Sequence, residues 1–454
     1  MSFDRTQKPI AKPILEFAPP NIEEFTLSNG LRIFFIFKDT LPLTRLNMVI
    51  DAGSKYDPAN KKGLAYLTSL VLDEGADDLN ALELSDEFDL LGSNFNVSAD
   101  NDSIHLSLQC LTENFERSFE LFSKVLLQPL FEDEEFKREK QKLITQIIQS
   151  KDEPEYLADQ IFDEIIFGDL NNYSYPVMGY EDSVQSITKA DVVNHYNNFF
   201  SASNSFLVAA GSTPKEQLIS TIEKYLTSWE NKTAQINIPL KTFQPKKNIF
   251  LYNKEGSVQT EIRVGFTTAK RNIKDYFQKL LLNAILGGQF TSRINLNLRE
   301  RNGYTYGATS RFQYLKDAGF FQVSTSVGAE NTGNALNEIL FELANIQKGI
   351  TDQELEFAKS SITKKFPMNF ETYSQILFNV SGKILFNLPD DYFESYIERI
   401  MSITKIEIEE IANKSINNNE LVVVLVGDKK LLDGKINLPG FDISEVNMKG
   451  EIIN

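Results

Sequence analysis

The chain has 454 residues, more than one ordinary core accommodates, and its 42% hydrophobic and 24% charged residues are the balance of a folded globular protein rather than a disordered one. Lys plus Arg number 46 against 63 Asp plus Glu, a net charge of −17 that repels phosphate backbones and argues against a nucleic-acid partner. A single cysteine excludes an intramolecular disulfide and a thiolate zinc cage.

Residues 1–20 carry Asp4, Lys8, Lys12, Glu16 and separated prolines, and read as an N-terminal extension. They hold no continuous apolar core of signal-peptide length and no Arg-rich amphipathic helix. The first lobe, residues 21–229, opens with a strand at 31–37 and a longer apolar strand at 47–53. Helices at 64–74 and 81–91 follow, then strands at 95–97 and 104–110, two long helices, and a strand at 206–211 ending in Gly211. Cys110 lies on the apolar face of its strand with Ile104, Leu106 and Leu108, the position of a buried structural thiol rather than a nucleophile. Residues 230–247 are polar and punctuated by Pro239 and Pro245, the composition of a linker.

The second lobe, residues 248–446, repeats the order: strands at 249–252 and 262–268, a helix at 275–286, strands at 305–315 and 320–328, two long helices, and a strand ending in Gly427. Asn47–Gly53 resembles 262–268, Phe206–Gly211 resembles Val422–Gly427, and 131–136 resembles 350–355, all separated by about 215–220 residues. A strand, a helix start and a late strand that keep one spacing imply a duplicated domain. The expected class is α+β, two homologous lobes from an internal duplication, each a mainly antiparallel sheet packed against helices. No apolar run reaches the roughly eighteen residues needed to span a membrane, so a cytoplasmic protein with no membrane partner is expected.

The two histidines, His105 and His195, sit on a strand and on a helix, at a spacing that matches no metal motif; structural or surface roles are expected for both. More informative are Ala52-Gly53-Ser54, Gly63-Leu64-Ala65, Leu91-Gly92-Ser93 with Phe95-Asn96-Val97, Gln128-Pro129-Leu130-Phe131, and the run from Leu286-Gly287-Gly288 to Arg299 and Tyr306. Over nearly its whole length the chain resembles the M16 (pitrilysin/insulinase) peptidase family in its two-domain bacterial form. The resemblance implies the M16/LuxS-like metallohydrolase fold.

In active members of that family an inverted motif, His-x-x-Glu-His, follows Gly63-Leu64-Ala65 and binds zinc, the two imidazoles lying four residues apart on one helix face. Here Tyr66, Ser69 and Leu70 occupy those places, and the third ligand, a glutamate, falls on Gln146. No metal is therefore expected in this chain. The family's Arg-x6-Tyr element is intact as Arg299 and Tyr306, a guanidinium and a phenol that both donate to a substrate carbonyl or its developing oxyanion. Taken alone, Arg299 beside Glu300 also reads as a surface ion pair and Tyr306 as a strand aromatic, just as Tyr66 reads as a packing residue. In the family an edge strand near 93–98 accepts extended substrate, which makes Asn96 a candidate contact; a plain core strand is the competing reading.

Lost ligands beside a kept Arg/Tyr pair are the pattern of a non-catalytic partner subunit in a heterodimeric zinc endopeptidase. The partner would carry His-x-x-Glu-His and the zinc, and the complex would cleave unfolded peptides in a shared chamber. The resemblance leaves two alternatives: a non-enzymatic structural or peptide-binding scaffold, like the core subunits that family members supply to a respiratory complex, and a metal-free homodimer.

Overall fold

A computed structural model describes residues 17–168, 171–231, 247–416 and 420–453. Most of the expected linker, and residues 1–16 of the expected extension, lie outside the described residues.

The strands are β1 (Glu23–Thr26), β2 (Arg32–Phe37), β3 (Leu43–Ile50), β4 (Asn94–Ala99), β5 (Ile104–Leu111), β6 (Ser205–Gly211), β7 (Asn248–Asn253), β8 (Gln259–Thr268), β9 (Ala308–Tyr314), β10 (Gly319–Gly328), β11 (Val422–Gly427) and β12 (Ile443–Glu445). Among the described residues they form two six-stranded sheets, ordered β1-β2-β6-β3-β5-β4 and β12-β7-β11-β8-β10-β9. β2, β6, β3, β5 and β4 thus correspond to β7, β11, β8, β10 and β9, the duplication read from the strand spacing. In each sheet the late Gly-ended strand lies parallel to the first long strand and antiparallel to the second. The copies differ at one edge: β1 pairs antiparallel with β2, whereas β12, from the far end of the chain, pairs parallel with β7.

Alternation fixes each sheet's faces. Along β5 every second residue, from Ile104 to Cys110, is buried, and His105, Ser107 and Gln109 turn to the other side. Beneath the apolar face Leu106 and Leu108 meet Phe119, Phe122 and Leu126 of the amphipathic helix Phe115–Leu127. Cys110 is buried in the same core, and that burial pushes its thiol up to about 12, which keeps it protonated and unreactive.

The lobes exchange helices. Pro154–Phe167, from the first half of the sequence, buries Leu157, Ile161, Phe162 and Ile166 against Val422, Val424 and Val426 of β11. Tyr373–Leu385, from the second half, packs Ile376, Leu377 and Val380 beside Phe34, Ile36, Val208 and Ala210 of β2 and β6. At about 1.5–3 kcal/mol per fully buried large apolar side chain, either helix contributes several kcal/mol before chain entropy is subtracted. Neither sheet has both faces covered without the other half of the chain. An ion pair from buried Arg263 on β8 to half-buried Asp159, Nε to Oδ1 2.7 Å, pins the first exchanged helix in register. Tyr373 Oη donates to the Lys38 carbonyl at 2.9 Å and pins the second.

A second cross-lobe joint is ionic. Lys55, 2% exposed, places Nζ 3.0 Å from both Asp51 Oδ1 and Asp102 Oδ1. The turn between β9 and β10 inserts here from the other lobe: Lys316 Nζ pairs with Asp51, and its backbone N–H donates to Asp102 Oδ2 at 2.9 Å. Tyr173 Oη donates to Asp102 Oδ1 at 2.6 Å. Every carboxylate in the cluster thus has a cation or a donor, the condition under which buried charge is tolerated.

Candidate functional site

The helix Leu64–Val71 begins at Gly63, whose φ of +95° is a left-handed conformation that favours glycine. A Cβ there would lie 2.5 Å from the Met178 carbonyl oxygen, so the position has no room for a side chain either. The buried Asp57 carboxylate closes the helix start, accepting from the N–H groups of Gly63, Leu64 and Ala65 at 2.8, 3.1 and 2.9 Å. Burial pushes this carboxyl up to about 7, against the pull of those three donors.

On that firmly held helix the residues at the expected ligand positions are engaged otherwise. Ser69 is buried and donates its hydroxyl to the Tyr66 carbonyl at 2.7 Å. Tyr66 and Leu70 are half-buried and pack against the core of the first lobe. Gln146 is exposed on the helix Asp133–Ser150. A phenol, a hydroxyl bound to its own helix, an isobutyl group and an amide do not fit zinc, which takes imidazole, thiolate or carboxylate. Among the described residues no group of three or more His, Cys, Asp or Glu is placed to hold a metal ion. His195 is buried and its Nε2 donates to the Ala52 carbonyl at 3.0 Å; burial pushes its pKa down to about 4, so it stays neutral. His105 lies between Asn47 and Asp100, Nδ1 to Nδ2 3.3 Å and Nε2 to Oδ2 3.1 Å.

Arg299 and Tyr306 lie in the second lobe. Arg299 sits on a turn of π-helix, Leu296–Arg301, closed by the Asn302 N–H donating to the Asn297 carbonyl at 3.1 Å. Buried Asn297 holds this turn by donating to Glu338 and Glu342, both at 2.8 Å, and accepting from Asn302 at 2.7 Å. Arg293 anchors the preceding turn through a two-pronged pair with Glu354, 2.6 and 2.9 Å. The guanidinium of Arg299 is 4.6 Å from the centre of the exposed Phe290 ring, and its Nε is 3.5 Å from Glu300 Oε1. Thr305 and Thr325 clamp the segment that carries Tyr306, both hydroxyls donating to the Gly307 carbonyl, at 2.9 and 3.0 Å. Tyr306 itself is 92% exposed. A rigid backbone therefore presents a nearly bare phenol. Among the described residues no hydrogen bond or ion pair joins Arg299 or Tyr306 to Tyr66, Ser69, Leu70 or Gln146.

Asn96 is exposed on β4, opposite Ser107 of β5, and β4 is the outermost strand of the first sheet. Among the described residues no strand lies beside its outer backbone groups, the arrangement that lets an extended segment add to a sheet. The Lys55 cluster was not foreseen from the sequence. Its members are scattered from Asp51 to Lys316, and only the fold brings them together.

Comparison with known proteins places these features in context. Residues 36–175 match the sequence profile of the insulinase peptidase family M16, and residues 186–362 match that of the peptidase M16 inactive domain. The chain is 22% identical to the uncharacterized zinc protease YmxG of Bacillus subtilis over 80% of its own length and 88% of the relative's. It is 23% identical to a protein of Helicobacter pylori named non-peptidase homolog YmxG, over 88% and 93% of the two chains. Among solved structures, a peptidase M16 inactive domain from Pseudomonas fluorescens superposes with a TM-score of 0.84 at 25% identity, covering 90% of this chain and 98% of that one.

Proposed function

The chain belongs to the M16 peptidase family, and from that premise we propose that it is a non-catalytic partner subunit of a zinc-dependent M16 endopeptidase. One observation carries the reading: all four positions of the metal site hold non-ligands, while the Arg-x6-Tyr element keeps Arg299 and Tyr306 on a braced turn with the phenol open to solvent. In this reading a second M16 subunit bearing His-x-x-Glu-His holds the zinc, and that subunit's glutamate is the base. The present chain supplies Arg299 and Tyr306 to grip the peptide carbonyl, and β4, with Asn96, to align extended substrate by main-chain pairing.

The test is a reconstituted complex. Arg299→Ala should lower kcat/KM for an unfolded peptide by about tenfold or more, as loss of an oxyanion donor does, while the subunits still co-elute. Unchanged kinetics would remove Arg299 from the chemistry. A second reading, a scaffold with no peptidase in the assembly, draws support from the name of the Helicobacter pylori relative. It predicts stable association with a partner that lacks His-x-x-Glu-His.

A further inference from the structure

A cavity of about 630 Å³ lies between the lobes, away from Arg299 and Tyr306. One wall is the outward face of β3 and β5, with Asn47, His105 and Ser107; the other is the exchanged helix Tyr373–Leu385 and the end of β9. Its volume is within the range of small-molecule sites.

Arg271 lines this cavity and is only 7% exposed. Its guanidinium is caged by tyrosines: the carbon is 3.2 Å from the Tyr276 ring centre, and Nη2 donates to Tyr392 Oη at 2.8 Å. Among the described residues no carboxylate reaches ion-pair distance of it. The acidic groups nearby are matched elsewhere. Asp275 pairs with Lys279 and Lys414, Asp390 with Lys383, Asp100 with His105, and Asp102 with Lys55. Tyr314 and Ser381 also line the cavity, and their hydroxyl oxygens are buried with no hydrogen-bond partner among the described residues. A buried cation without an anion and a buried hydroxyl without a partner are each unfavourable until a ligand satisfies them. One cavity thus gathers a guanidinium with no carboxylate partner and two hydroxyls with no hydrogen-bond partner among the described residues, a donor set suited to an anion.

We propose that the Arg271–Tyr314–Ser381 cavity binds a monoanionic carboxylate carried on an apolar body. Leu377, Phe378 and Leu385 supply the apolar wall, and Phe378 is 80% exposed in the free chain. A dianion such as phosphate is disfavoured by the chain's net charge of −17 and by Asp100 and Asp102 on the cavity wall. The carboxylate belongs either to the C-terminus of a short apolar peptide or to a free organic acid. The site is complete within this chain, so the inference stands apart from the partner-subunit reading.

The experiment is calorimetric titration of the full chain with N-acetyl-Leu-Phe, with the same dipeptide as its carboxamide, and with hexanoate. The free acid should bind at least about tenfold more tightly than the amide, as expected for loss of a charge-assisted contact. Tyr314→Phe and Ser381→Ala should each weaken it several-fold without lowering Tm, because neither hydroxyl has a partner to lose. Arg271→Gln should abolish binding; if that variant fails to fold, the two hydroxyl variants decide alone. Binding of the dipeptide without hexanoate identifies a peptide terminus as the ligand, and binding of both identifies a general organic-acid site. Equal binding of acid and amide, no binding at millimolar concentration, or hydroxyl variants with unchanged affinity would overturn the proposal.

Discussion

Replacing Lys55 by Met tests the ionic joint between the lobes. The change keeps most of the side-chain volume and deletes one charge that is 2% exposed and 3.0 Å from two carboxylates. Removing one partner from a buried pair costs about 3–5 kcal/mol, because the other charge is left without compensation. Here the compensation is partial: Asp51 keeps Lys316, and Asp102 keeps the Tyr173 hydroxyl and the Lys316 N–H. The lower end therefore applies, a loss of about 3 kcal/mol, roughly a 150-fold shift toward the unfolded chain. Urea unfolding followed by fluorescence of the single tryptophan, Trp229 in the first lobe's core, reads the midpoint, and far-UV circular dichroism reads both lobes. Since the lobes share exchanged helices, the two probes should move together. A loss below about 1 kcal/mol, or a transition that splits between the probes, would refute the reasoning.

Other outcomes follow from the same geometry. Gly63→Ala should cost about 2 kcal/mol or more, from the left-handed φ and the close Met178 carbonyl, measured as a fall in the urea midpoint. Burial depresses His195 to about 4 from 6.5, so the stability it contributes is present above pH 6.5 and is lost as pH falls through 4. His195→Gln, which keeps a donor for the Ala52 carbonyl, should flatten that window in a stability-versus-pH series. Glu354 is raised by burial but lowered further by Arg293 and Thr351, to about 2; its contribution is present above about 4.5 and is lost as pH falls toward 2. Glu354→Gln should cost about 1–3 kcal/mol at neutral pH and nothing additional below pH 2, as seen in thermal melts.

Much of the fold was legible because its determinants are local or periodic. Alternation in 104–110 and the matched Gly-ended strands revealed the sheets and the duplication. Boundaries shifted by a few residues: the helix expected over 64–74 ends at Val71, and the strand expected from 305 begins at Ala308, after the threonine clamp on Gly307. The helix exchange was not legible. The apolar stripe of Pro154–Phe167 says that one face is buried but cannot say that the face belongs to the other lobe's sheet. That Tyr66, Ser69, Leu70 and Gln146 are not metal ligands was readable from residue type alone. That Ser69 spends its hydroxyl on the Tyr66 carbonyl, and that Arg299 rides a π-turn, depend on hydrogen bonds no spacing reveals. Arg271 has no sequence signature: an arginine in a polar loop, Lys270-Arg271-Asn272, gives no hint that tyrosines from three segments enclose it.

The most direct measurement of the central claim is hydrolysis of a quenched fluorescent peptide by this chain alone and by its mixture with an M16 subunit that carries His-x-x-Glu-His. The account predicts no cleavage by the chain alone with zinc supplied, cleavage by the mixture, and loss of that cleavage on chelation. Chelator-sensitive cleavage by the purified chain alone would contradict it, and so would a stable complex with the zinc-bearing subunit that cleaves none of a broad range of unfolded peptides.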